Sequence, residues 1–298
     1  MRVTIFGATG LLGKALLRQW SGDDLTALGS AQADIRNSEP VENVVANAKP
    51  EWIVLAAAYT DVDGCEINPN LALSVNTYGA VNVAKAAVRA RSKLLFISTD
   101  YVFDGKKNSP YETDESRNPI NAYGKSKAEA EGKLSEIHPQ VCIVRTSWLF
   151  GPGGKCFPDT ILKIASSRKQ IEVVNDQRGC PTYTVDLASA IIRLCRSGAE
   201  GIVHCTNAGD CTWYEFAQEI VRQSGLRATV RPTTSDKYVR PAVRPSYSVL
   251  SPLSLSAYGV KMRPWQETLG QYLAVRMSSN DELASRSPIV GDERAEKR

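Results

Sequence analysis

Val3-Thr4-Ile5-Phe6-Gly7-Ala8-Thr9-Gly10-Leu11-Leu12-Gly13 opens the chain, and its reading decides the fold. Val3 to Phe6 are short, apolar or β-branched, and read as a buried strand. A glycine turn follows, and Lys14 to Trp20 carry a helical pattern. Strand, glycine turn and helix in that order open a dinucleotide-binding unit, spaced here Gly-x-x-Gly-x-x-Gly. Each glycine has a physical task. Gly7 and Gly10 let the backbone turn and approach a pyrophosphate. Gly13 lets helix and strand pack closely, and the helix N-terminus offers free N–H groups to the anion.

Outward from that turn, strands and helices alternate, which predicts an α/β fold: a Rossmann-type doubly wound parallel sheet. The second strand, Leu25 to Leu28, ends in Gly29-Ser30, and the next acid is Asp34. No ribose-binding carboxylate stands at the strand end, which leaves room for the phosphate of NADPH, although no arginine stands there either. Asp34 and Ile35 are expected to border the adenine. A helix over Ser38 to Ala48 precedes a third strand, Trp52 to Leu55, that runs into Ala56-Ala57-Ala58-Tyr59-Thr60. These small residues suit either a ligand or close helix packing. A long helix is predicted over Pro69 to Arg91; Asn76 lies inside it and needs a partner if buried.

The fourth strand, Leu94 to Ile97, ends at Ser98-Thr99-Asp100, and a polar loop leads to the helix of Tyr123-Gly124-Lys125-Ser126-Lys127. Tyr123 and Lys127 are four residues apart, one turn along a single helix face. An ammonium there would lower the tyrosine pKa from about 10 toward neutrality and let it give a proton to a carbonyl oxygen. The plain alternative is a surface tyrosine beside a solvated lysine. The fifth strand, Val141 to Arg145, runs into Thr146-Ser147-Trp148.

After Gly151 the pattern changes. Helices are predicted over Phe157 to Ser167, Val185 to Arg196, Tyr214 to Ser224 and Trp265 to Val275. Strands are predicted at Ile171 to Val174 and Thr229-Val230, and one at Gly201 to Cys205 reads as a return to the main sheet. The expected organisation is a cofactor domain over 1–150, a smaller interleaved substrate domain over 151–276, and a polar, disordered tail over 277–298.

The 298 residues carry a net charge of +4 with scattered lysines and arginines, so a nucleic-acid partner is not expected. No signal peptide and no apolar run of the roughly 18 residues that span a bilayer is seen, so no membrane partner is expected. The seven cysteines form no Cys-x-x-Cys pair, which suggests reduced thiols in a cytoplasm. With only two histidines, His138 and His204, no metal site is expected.

These motifs resemble the extended short-chain dehydrogenase/reductases and, within them, the dTDP-4-dehydrorhamnose reductases. The glycine turn and Tyr123-x-x-x-Lys127 are shared with the whole superfamily. Ser98-Thr99-Asp100-Tyr101-Val102-Phe103, Asp176-Gln177-Arg178-Gly179-Cys180-Pro181-Thr182 and Arg244-Pro245-Ser246-Tyr247-Ser248 narrow the likeness. It implies that NADPH, with NADH as the alternative, reduces the C4 ketone of dTDP-6-deoxy-L-lyxo-4-hexulose to dTDP-L-rhamnose. Tyr123 would protonate the ketone oxygen, Lys127 would tune Tyr123 and hold the nicotinamide ribose, and Thr99 would donate to the same oxygen. Asp100, Tyr101 and Trp148 would line the sugar pocket. Gly7, Thr9, Gly10, Leu11, Leu12 and Gly13 would follow the pyrophosphate, Asp34 and Ile35 the adenine, and Ala58, Tyr59 and Thr60 the ribose.

Some relatives bind Mg²⁺ at a dimer contact through a glutamate just after the glycine turn. Lys14-Ala15 stand there here, so no metal is carried over and a homodimer by that route does not follow. Two alternatives remain. One is a catalytically silent NADP(H)-binding regulatory subunit of the methionine adenosyltransferase partner type, against which the intact Thr99, Tyr123 and Lys127 argue. The other is a different nucleotide-sugar ketoreductase, epimerase or dehydratase. A dehydratase would carry an acidic pair where this chain has Asp100-Tyr101.

Overall fold

The computed structural model describes residues 1–285; of the segment read as a tail, 286–298 lie outside the described residues. Strands β1 (Arg2–Phe6), β2 (Asp24–Leu28), β3 (Trp52–Leu55), β4 (Lys93–Thr99) and β5 (Cys142–Thr146) join Gly201–His204 in one six-stranded sheet. Its order is Gly201–His204, β5, β4, β3, β1, β2, and every neighbouring pair is parallel. The order reverses between β1 and β3. Ligands of open α/β sheets bind beyond the carboxyl ends of the strands at such a reversal.

Alternation along the strands builds a core on each face. Val3, Ile5, Val54 and Leu95 face the helices Leu11–Gln19 and Thr184–Ser197. Phe6, Ile53, Leu55 and Phe96 face Ser38–Ala48, Ala80–Ala90 and Ala122–Ile137. Fully burying one such side chain contributes about 1.5–3 kcal/mol. A third core gathers Phe150, Ile161, Phe216, Trp265 and Tyr272. It is built from Phe157–Ser167, Trp213–Ser224, Trp265–Ser285 and the parallel pair Gln170–Val174 with Thr229–Thr233.

Two elements differ from the sequence reading. The single helix expected over 69–91 is divided into Pro69–Ala72, a π-helical stretch Leu73–Gly79, and Ala80–Ala90. The last helix continues past Val275 to Ser285.

Candidate active site

The glycine turn is fixed by contacts that no side chain could share. Gly7 has φ +89°, and a Cβ there would lie 2.4 Å from the Ala57 nitrogen. A Cβ on Gly13 would lie 2.1 Å from the Gly7 carbonyl oxygen. Gly10 differs: its Cβ would meet only the Gly7 oxygen, at 3.3 Å. Gly10 is also the N-cap of Leu11–Gln19 and supplies no side-chain cap, so the first N–H groups of that helix remain free for an anion. These features fit a dinucleotide pyrophosphate on the turn. Lys14 Nζ donates to the Gly153 carbonyl at 2.6 Å, which ties the helix to the loop after Phe150.

Beyond β2, Asp34 is not free for a ribose. Arg36 grips its carboxylate with contacts of 2.5 to 3.0 Å, and that guanidinium holds the Asp34 pKa below the ordinary range. Asn82 Nδ2 donates to the Ile35 and Arg36 carbonyls and fixes the segment. Beyond β3, Asn76 is buried in the π-helical stretch. It accepts from the Tyr59 N–H at 2.7 Å and donates to the Tyr59 carbonyl and to Ser126 Oγ. One side chain thus ties the Ala58-Tyr59-Thr60 loop to the helix that carries Tyr123. This supplies the partner that a buried Asn76 requires. Thr60 itself is exposed.

The end of β4 and the helix Ala122–Ile137 bring the proposed chemistry together. Asn121 caps that helix by accepting from the Gly124 N–H at 2.8 Å. The Tyr101 and Tyr123 rings meet edge to face, centroids 6.0 Å apart. Thr99 donates to Asp100 Oδ1 at 3.0 Å and accepts from the Tyr101 N–H. Its one hydroxyl proton therefore points at Asp100 and must turn to serve a substrate oxygen. Ser248 donates to Asp100 Oδ2 at 2.5 Å. Burial pushes the Asp100 carboxyl up to about 6, while Ser248 and Thr99 pull it back down.

The expected tuning of Tyr123 by Lys127 is corrected by the structure. Burial raises the Tyr123 pKa above its ordinary value, opposed only by the neighbouring Thr99 hydroxyl if its proton turns from Asp100, and Lys127 does not lower it. Lys127 is instead buried. Its Nζ donates to the Ile97 carbonyl at 2.6 Å and lies 3.9 Å from the centre of the Phe96 ring. Burial pushes the Lys127 ammonium down to about 7, and the Glu131 charge acts the other way.

A cleft of about 670 Å³ opens beside Tyr101, lined by Val62, Phe157, Trp213, Arg240 and Arg244 among others. A separate cleft of about 720 Å³, lined by Arg178, Asp210 and Arg222, contains none of the residues expected at the site. Both arginines of the first cleft are held by Asp63, which takes both arms of Arg244, at 2.5 and 2.8 Å, and one of Arg240 at 3.2 Å. Arg244 holds the Asp63 carboxyl well below its usual range. Trp148 is placed differently from expectation. Its ring stacks on Trp213 at 3.5 Å and 7°, and a Cβ on Gly179 would lie 2.7 Å from it. Trp148 has φ +48°, a rare conformation for a side chain of this size. Of the stacked pair, Trp213 lines the cleft.

Sequence reasoning missed Trp213, Asp63, Arg240 and the placement of Asn76. Arg240 and Arg244 could have been found as cations of a proline-rich segment in which no acid lies between Arg240 and Leu250. Trp213 gives no signal beyond an aromatic residue at a helix start.

The fold and site define a nucleotide-binding α/β protein with a short-chain-dehydrogenase-type Tyr-x-x-x-Lys helix against the sheet's carboxyl edge. Residues 1–277 match the family described as RmlD substrate binding domain, and the chain belongs to that family. It is 39% identical over 282 residues to the spore coat polysaccharide biosynthesis protein SpsK of Bacillus subtilis, covering 94% of this chain and 99% of the relative. It is 38% identical over 280 residues to the dTDP-4-dehydrorhamnose reductase of Mycolicibacterium smegmatis, covering 92% and 85%. Among solved structures, the dTDP-4-dehydrorhamnose reductase of Bacillus anthracis in complex with NADP superposes with a TM-score of 0.89 at 38% identity, covering 92% and 98%. No helix among the described residues is long and apolar enough to cross a membrane.

Proposed function

We propose that the protein is an NADPH-dependent dTDP-4-dehydrorhamnose reductase that converts dTDP-6-deoxy-L-lyxo-4-hexulose to dTDP-L-rhamnose. The observation that carries the reading is the meeting of Tyr123, Thr99 and Tyr101 at the end of β4, with Tyr101 lining the cleft and the uncapped glycine-turn helix following β1 of the same sheet. The cofactor supplies a hydride to the C4 carbonyl carbon. Tyr123 gives its phenolic proton to the oxygen on which charge develops. Burial that raises its pKa keeps the phenol protonated at neutral pH, as a proton donor must be. Thr99, turned from Asp100, donates to the same oxygen.

The elements of 1–150 with Gly201–His204 hold the cofactor, and those of 151–276 complete the nucleotide-sugar pocket. Gly7, Thr9, Gly10, Leu11, Leu12 and Gly13 cradle the pyrophosphate. Asp34 and Ile35 flank the adenine, with the Asp34–Arg36 pair leaving no free carboxylate to repel a 2′-phosphate. Ala58, Tyr59 and Thr60 border the ribose that Lys127 holds. Arg240 and Arg244 exchange Asp63 for the sugar-nucleotide diphosphate, and Trp213 backed by Trp148 forms the flat wall. A reducing, cytoplasmic setting suits seven free, buried cysteines.

The test follows NADPH absorbance with the dTDP-4-keto sugar, for wild type and Tyr123→Phe. Wild type should turn over and Tyr123→Phe should lose at least about a hundredfold in kcat, the scale of a removed general acid. NADPH binding without turnover of the keto sugar would overturn the reading and favour a silent NADP(H)-binding protein.

A further inference from the structure

Three consecutive residues of β4 each engage the helix Ala122–Ile137 or its site. The Ile97 carbonyl accepts from Lys127, the Ser98 hydroxyl donates to Glu131, and Thr99 stands by Tyr123. Tyr123, Lys127 and Glu131 are spaced i, i+4, i+8, so they lie along one face. Glu131 is completely buried, and Ser98 Oγ reaches its Oε1 at 2.6 Å. The Arg145 guanidinium of β5 grips both carboxylate oxygens, at 3.0 and 2.7 Å. Arg117 approaches Oε2 from the loop side at 3.4 Å. Behind Arg145 stand His204, 3.3 Å from its Nη1, and the ring of Phe103. A buried carboxylate with a full set of partners exceeds what helix packing requires, because apolar residues of like volume fill such a space at no loss of stability.

We propose that Glu131 is the positioning residue of the site: bonded by Ser98 and Arg145, it locks the Tyr123–Lys127 helix onto β4 and β5 and sets a negative charge one turn from Lys127. The charged groups facing Lys127 support this. On its own helix Glu131 is one turn away, and across the sheet Arg145 lies beyond Glu131, so the nearer charge is negative. The Lys127 ammonium is held at about 7 by burial opposed by Glu131, so removing that charge takes the lysine lower still. The inference rests on the reading of Tyr123 and Lys127 as the proton-transfer pair.

The test measures kcat and KM against pH with NADPH and the dTDP-4-keto sugar. Glu131→Gln alone would strand a buried Arg145 cation, so the main variant is Glu131→Gln with Arg145→Met. It should lose about tenfold or more in kcat at pH 7.5, keep its KM for NADPH, and move the alkaline limb of the kcat profile down by about one pH unit. Glu131→Asp keeps the charge and shortens the reach. It should leave the limb in place while losing rate; beside the moved limb of the double variant, that contrast is one a packing role alone does not produce. Should the double variant fail to fold, Ser98→Ala leaves both charges and removes one anchor. It should lower kcat about threefold at unchanged NADPH affinity. An unmoved limb in the folded double variant, or wild-type kcat in Ser98→Ala where only that variant folds, overturns the proposal. An active Tyr123→Phe in the same series would instead overturn the reading on which it rests.

Discussion

Gly10 and Gly13 stand three residues apart in one motif, and the structure assigns them separate tasks that one experiment can divide. In Gly13→Ala the new methyl would lie 2.1 Å from the Gly7 oxygen and 2.6 Å from the Ala8 Cα, where ordinary contact begins at 3.4 Å. The atoms in the way are backbone. The helix Leu11–Gln19 must therefore move off the turn by roughly 1.3 Å, the difference between ordinary contact and the new one. Overpacking of this kind costs about 1–3 kcal/mol, which the gain of about 1 kcal/mol from alanine's helix propensity only partly offsets. Because the obstructing atoms are backbone the cost falls at the upper end of that range, and the net loss of about 2 kcal/mol lowers Tm by roughly 4–8 °C in a chain of this size.

Gly10→Ala meets only the Gly7 oxygen, at 3.3 Å, and the native φ −73° and ψ 173° suit alanine. Its stability should fall by only about 0.5 kcal/mol, for a poorer N-cap. The methyl does, however, stand where the pyrophosphate approaches the free N–H groups. NADPH affinity should drop at least about tenfold, or about 1.4 kcal/mol. Thermal unfolding and a fluorescence titration with NADPH on both variants decide the matter. Wild-type affinity in Gly10→Ala, or wild-type Tm in Gly13→Ala, would refute the division of labour.

Three further outcomes are expected. The Asp100 carboxyl sits at about 6 in the fold against 3.8 outside it, so its protonated form is favoured by folding and wild-type stability falls as pH rises from about 4 to 6. Asp100→Asn removes that slope; relative to wild type it should gain up to about 3 kcal/mol between pH 4 and 7 in urea unfolding, and parallel curves would contradict the burial argument. Asp63→Ala leaves the largely buried Arg244 unpaired, so Tm should fall, and added dTDP should raise Tm more in the variant than in wild type. Equal dTDP shifts would remove the arginines from the diphosphate site. Trp213→Ala should raise KM for the keto sugar nucleotide about tenfold and leave NADPH affinity unchanged; an unchanged KM would move the wall elsewhere.

How much of this was legible in the sequence depends on whether the determinant is local. The six strands could be read because apolar alternation and glycine turns are short-range signals, and Tyr123–Lys127 could be read because a helix brings residues four apart together. The Asp63–Arg244 pair spans 181 positions, and no local pattern encodes such a contact. The π-helical stretch Leu73–Gly79 was hidden because strong helix formers flank its weaker ones and no sequence signal separates a π turn from an α turn, and only the bonds of Asn76 to Tyr59 and Ser126 show why the extra residue is kept. Arg145 did leave a trace. A cation directly after the apolar run Val141 to Val144 in a central strand demands a buried anion, and of the three acids on the facing helix Glu131 is the one on the Tyr123–Lys127 face.

The largest revision concerns proton traffic. From spacing alone, Lys127 was to lower the pKa of Tyr123 by its charge. Burial instead raises the phenol and takes the ammonium down to about 7, so both groups are driven toward their neutral forms. For a reduction this ordering has a use. A phenol that resists ionisation still holds its proton when the substrate arrives, and the alkoxide formed by hydride transfer is a stronger base than a phenolate, so the proton passes downhill to it. The phenolate left behind is then a strong base beside a lysine that parts with its proton readily, and Lys127 becomes the resupply of Tyr123. On that account turnover must fall on the alkaline side, as Lys127 loses its proton before substrate arrives. The charge of Glu131 then decides how far into neutral pH the site still holds one.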